Sequence, residues 1–112
     1  MPRITKAQVV DSLYVATEQD RIEWQPTAEA QQFIATFGPK WSVVISRSFN
    51  IAFAPQPLTT LFVMKSDGEA LLQVQDSDDP RLRELHEMAR RRALKIDDDL
   101  TDFLNEVDKP PK

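Results

Sequence analysis

Cysteine is absent from this chain of 112 residues, so disulfides, thiolate chemistry and cysteine-based zinc sites are excluded. Histidine occurs once, at position 86. No apolar run approaches the ~20 residues of a membrane span, and Met1-Pro2-Arg3-Ile4-Thr5 opens no apolar stretch of signal-peptide length. A cytoplasmic location is therefore expected, with no membrane partner. Positive charge is in deficit: 14 Lys and Arg against 18 Asp and Glu leave a formal net charge of -4. That balance favours solubility and disfavours nucleic acid as the main ligand. Repeats, linkers and low-complexity tracts are lacking too, as is any constellation that identifies an enzyme, a metal site or a nucleotide site. Hence no catalytic residue, cofactor or metal is assigned, and the chain is expected to be no enzyme.

What is present is the composition of one ordinary soluble domain, 41% hydrophobic and 29% charged. Residues 1–108 are expected to form it, with 109–112, Lys-Pro-Pro-Lys, as a disordered tail. Thr5 followed three residues later by Gln8 has the spacing of a capping box. The helix it opens buries Val9, Val10, Leu13, Tyr14 and Thr17 on one face and ends near Asp20. Ile22-Glu23-Trp24 suits a short edge strand or an extended arm, broken by Gln25-Pro26-Thr27 and anchored by Trp24.

From Gln31 the period changes to two, with Phe33, Ala35 and Phe37 on one face. Gly38-Pro39-Lys40 turns the chain, and Trp41, Val43 and Ile45 alternate in the return strand. A further strand, Thr59 to Lys65, meets Ser66-Asp67-Gly68, whose Asp-Gly pair predicts a tight hairpin turn with positive φ angles. Its return, Glu69 to Gln75, carries Ala70, Leu72 and Val74 inward.

Asp79 before Pro80 starts a helix, because the carboxylate accepts free N–H groups and proline has no donor to orphan. Leu82, Leu85, Met88, Ala89 and Ala93 form its apolar stripe. Lys95 and Ile96 read as a break, after which Asp97-Asp98-Asp99 caps a last helix with an apolar face of Leu100, Phe103, Leu104 and Val107. The expected fold is α+β: an antiparallel meander of about four strands, with one N-terminal and two C-terminal helices packed on one face.

Glu23-Trp24, the strand Ser42-Val43-Val44-Ile45-Ser46-Arg47, and the spaced Leu82, Leu85, Ala89-Arg90-Arg91, Ala93-Leu94, Ile96-Asp97 and Leu100 resemble a group of small bacterial α+β proteins of unknown function. The resemblance touches most of the chain except residues 48–58. It implies a bacterial or mobile-element origin and the same helix, sheet, helix order, and it carries no active site.

Four places compete as sites. His86 lies between Glu84 and Glu87 on a helix, where it could shuttle protons or bind a metal together with Asp76 and Asp79; the pattern favours a partly exposed surface histidine and helix-capping acids. Asp97, Asp98, Asp99 and Asp102 admit the same capping explanation. Arg90, Arg91, Arg92 and Lys95 are the one basic concentration, able to meet phosphate or an acidic protein, but they spread around the helix and suit its C-terminal dipole. Last, Phe49, Ile51 and Phe53, followed by Pro55 and Pro57, form an apolar run where a turn is due. It is either another core strand or a projecting hairpin that meets a partner by strand addition or insertion into a groove. The expectation drawn is a small non-enzymatic binding or accessory protein, acting through a protein interface at these five residues and able to self-associate. An inhibitor of the immunity or antitoxin kind, or a chaperone-like acidic partner, would suit it. A metal enzyme at His86, Glu87, Asp76 and Asp79 is the alternative, with nucleic-acid binding through Arg90, Arg91 and Lys95 behind it.

Overall fold

The computed structural model describes residues 3–49 and 57–110. In chain order they form α1 (Lys6–Glu18), β1 (Gln25–Pro26), β2 (Gln32–Phe37), β3 (Trp41–Phe49), β4 (Pro57–Lys65), β5 (Ala70–Gln75), α2 (Arg81–Ala93) and α3 (Ile96–Val107). The five strands pair antiparallel in sequence order, so the class is α+β as expected. The extra strand is β1, which forms at Gln25–Pro26, where a break was expected, and not at Ile22-Glu23-Trp24; its two residues pair with Ile34 and Phe33 of β2. Its proline is tolerated because β1 is an edge strand, where one N–H is not needed by the ladder.

Local chemistry explains the boundaries. At α1 the Gln8 N–H donates to Thr5 Oγ1 at 3.1 Å and the Thr5 N–H donates to Gln8 Oε1 at 2.7 Å, a complete capping box. The helix ends in a Schellman motif: Asp20 takes a left-handed φ of 59°, its N–H donates to the Thr17 carbonyl, and the Arg21 N–H donates to that of Ala16. Between β4 and β5 only Gly68 of the Asp-Gly pair has positive φ, at 89°. The loop is therefore Ser66-Asp67-Gly68, one residue longer than a two-residue turn, closed by Lys65 N–H to Glu69 O at 2.9 Å.

Register builds the core. Phe33, Ile45, Leu61 and Val74 stand in one cross-strand row, and Ala35, Val43, Val63 and Leu72 in the next. The first row is buried throughout. Expected inward, Ala70 is instead exposed, because Val63 pairs with Leu72 while Met64 pairs with Ala70. Leu71 is thus the extra residue of a β-bulge, and it flips the alternation beyond it. The opposite sheet face carries Ile34, Val44 and Phe62 in a row.

Helices α1 and α2 lie side by side in the same direction: Arg81 at the start of α2 bonds Asp11 and the Ala7 carbonyl, and Arg92 near its end pairs with Asp20. Val10 and Leu13 from α1 and Leu82, Leu85 and Ala89 from α2 close the core over the sheet. Trp24 anchors the following arm, its Nε1–H donating to Thr17 Oγ1 at 3.0 Å in a buried bond. Lys95, with a left-handed φ of 54°, ends α2 and redirects the chain into α3. Asp97, Asp98 and Asp99 therefore sit inside the first turn of α3 rather than capping it, since the N-cap is Lys95. No helix among the described residues is long and apolar enough to cross a membrane.

Candidate interaction surfaces

Phe49 ends β3 and Pro57 begins β4, and the two are paired across the ladder. Ile51, Phe53 and Pro55 of the same predicted contact lie outside the described residues. The β3–β4 pair is thus a long hairpin whose ladder runs up to the edge of the apolar segment.

His86 departs from its expected surface position. It is 1% exposed, with its ring 5.4 Å from that of Phe33. Nε2 lies 2.9 Å from the Gln31 carbonyl, which can only accept, so Nε2 carries the proton. Nδ1 is buried with no partner among the described residues, as are Arg47 Nε and Thr59 Oγ1. Burial pushes the His86 pKa down; the bond to Gln31 opposes this, and the nearby Arg47 charge adds to the depression. The neutral ring is therefore a core element of α2. Its i+4 spacing from Leu82 and i−3 spacing from Ala89 put it on the buried stripe, a signal that the flanking Glu84 and Glu87 obscured.

The acids near it are already engaged. Asp79 Oδ1 accepts from the Arg81 N–H at 3.0 Å and Oδ2 pairs with Arg81 at 2.9 Å, which holds its carboxyl below the usual carboxylate range. Asp76 accepts from Arg83 Nε at 3.3 Å, and Asp78 pairs with Lys6. Among the described residues no three His, Asp or Glu side chains converge as a metal site. In the basic run Arg90 and Arg91 reach Glu87, Arg91 also reaches Asp97 at 3.1 Å, and Arg92 pairs with Asp20, whereas Lys95 has no ion pair among the described residues. The three arginines are thus partly neutralised as a phosphate site.

Two apolar surfaces stand out instead. Helix α3 packs on α2 but buries none of its own residues. Leu100 is 44%, Phe103 60%, Leu104 58% and Val107 60% exposed, at the i, i+3, i+4, i+7 spacing of one helical face. Around that stripe the helix carries Asp97, Asp98, Asp99, Asp102 and Glu106 and no cation. The second surface is a groove of about 520 Å³ between α1 and the sheet. Ile4, Val9 and Leu13 line one side, and Phe37, Trp41 and Val63 the other. Trp41 is 40% exposed at its edge, and Lys65 is paired across from it.

The radius of gyration, 16.6 Å, exceeds the roughly 13 Å of a compact chain of this length. Comparison with protein-family models, with curated proteins and with solved structures finds no match to this chain.

Proposed function

We propose that this protein is a non-enzymatic binding protein that engages a protein partner through the apolar stripe of α3, with the segment at Phe49, Ile51, Phe53, Pro55 and Pro57 as a second contact. The observation that carries this reading is the exposure of Leu100, Phe103, Leu104 and Val107 on one regular helix. Exposed contiguous apolar surface of this kind marks interaction sites in soluble proteins, and an amphipathic helix with i, i+3, i+4, i+7 anchors is suited to a partner's groove. A lipid surface is a poorer fit. Helices that lie in membrane interfaces are rich in Lys and Arg on their polar face, whereas the polar residues of α3 are five acids with Thr101 and Asn105 and include no cation.

The test is photo-crosslinking in cells with a photoreactive phenylalanine analogue at position 103. A discrete protein adduct at 103, absent when the same group replaces the exposed Gln73 on β5, is the expected result. No adduct above that control would overturn the reading.

A further inference from the structure

We infer that the sheet face turned away from the helices is a self-association surface, on which a second copy of this chain packs face to face about a two-fold axis. The inference is independent of α3. Helices α1 and α2 close the core over one face of the sheet, where Phe33, Ile45, Leu61 and Val74 are buried. Alternate positions form the other face, and at its centre stands the cross-strand row Ile34, Val44 and Phe62, with Met64 two residues along β4. The flanking rows pair Thr36 with Ser42 and Ser46 with Thr60, and Gln73 and Gln75 of β5 oppose Phe62 and Thr60. No Asp, Glu, Lys or Arg occurs among the described positions of β2–β5 on this face, in a chain that is 29% charged. A sheet face that meets only water is ordinarily polar. Loss of charge around an apolar centre bearing Phe and Met is instead the composition of an interface core. Charge returns at the margins, with Lys40 at the β2–β3 turn and Glu23 ahead of β1, as in a polar rim.

Across a two-fold axis each residue near the axis meets its own counterpart, so a charged face would set like against like. Here the polar groups are hydroxyls and amides, which both donate and accept and can therefore bond to their own copies. The net charge of -4 makes two copies repel, and repulsion is least where a face carries no charge. The relief is self-complementary as well. Hollows of about 310 and 300 Å³ lie on the β2 side, both lined by Ile34 and Thr36, while Phe62, the aromatic side chain of the face, stands on β4. An axis running along β3, the central strand, sets β4 of each copy over β2 of the other. The four strands β2 to β5, of 6, 9, 9 and 6 residues, cover about 19 Å by about 25 Å at ~4.8 Å between strands and ~3.3 Å per residue. Two such faces bury on the order of 1,000 Å², the lower end for a specific interface, so the dimer is weak and reversible.

The experiment is light scattering coupled to size exclusion on the purified full chain over a hundredfold range of concentration. Phe62→Lys places a charge at the centre of the face, and Thr36→Lys places one at an exposed position on its β2 side. Far-UV circular dichroism confirms that each variant folds, and Leu104→Asp on α3 serves as the control. The expected result is a wild type that passes from monomer to dimer as concentration rises, association at least tenfold weaker in both lysine variants, and association unchanged in Leu104→Asp. A wild type that stays monomeric throughout would overturn the inference, as would a dimer that Thr36→Lys leaves intact. Dimer lost in Leu104→Asp alone would also overturn it, by moving the contact to α3. Photo-crosslinking separates the two readings: through Gln73, on this face, it joins two copies at twice the mass of the chain, and such a band is not that of a partner held by α3.

Discussion

Replacing Leu104 by Ala and Leu85 by Ala should destabilise the isolated chain to very different extents, although both positions are leucines on helical apolar stripes. Leu85 is fully buried beneath the sheet, so its truncation removes transfer free energy and leaves a cavity, at a cost of about 2 to 5 kcal/mol. Leu104 is 58% exposed. Full burial of a leucine is worth about 1.5 to 3 kcal/mol, and less than half of that is realised here. Alanine also has a slightly better helix propensity, which offsets part of the remainder. The net cost of Leu104→Ala in the dilute chain is therefore about 0.5 kcal/mol. Urea unfolding followed by the fluorescence of buried Trp24 reads both, with the midpoint converted through a common m-value. A loss of about 2 kcal/mol or more at Leu104 would refute the reasoning, since it would place α3 in the core of the single chain.

Two further perturbations test the interior. With the His86 pKa lowered in the folded state, the unfolded chain binds more protons below its ordinary value near 6.5. Stability should fall as pH drops from about 6.5 toward the depressed folded value, and His86→Gln should flatten that slope in pH-dependent urea unfolding; an unchanged slope would show that His86 is not its source. Asp79→Ala removes the acceptor for the Arg81 N–H and the partner of its guanidinium, and should cost about 1 to 2 kcal/mol by the same assay. Asp79→Asn keeps an acceptor oxygen and should recover part of the loss, which distinguishes capping from charge pairing.

Elements with their own local chemistry were legible in the sequence. Thr5 with Gln8, the Asp79 carboxylate that accepts the Arg81 N–H although the N-cap itself is Pro80, and the alternation through Phe33, Ala35 and Phe37 each carry a mechanism that acts within a few residues. The departures have nonlocal causes. The bulge at Leu71 depends on how β5 registers against β4, and the two residues of β1 form a strand because β2 is there to pair with them. His86 is apolar-facing only because α2 lies flat on the sheet at Phe33 and Gln31. The stripe of α3 is the clearest case: periodicity shows that Leu100, Phe103, Leu104 and Val107 share a face, and is silent on whether that face meets the chain's own core or another molecule. The segment at Ile51, Phe53 and Pro55, expected as an interface, lies outside the described residues, and the exposed apolar stripe is in the C-terminal helix.

Hydrogen exchange of the α3 backbone amides in the isolated chain tests the central claim most directly. Exposed along its apolar stripe, α3 should exchange much faster than the amides around buried Leu85 in α2. Protection of α3 equal to that of α2 would contradict the account by making its apolar stripe part of the folded body rather than a surface held for a partner.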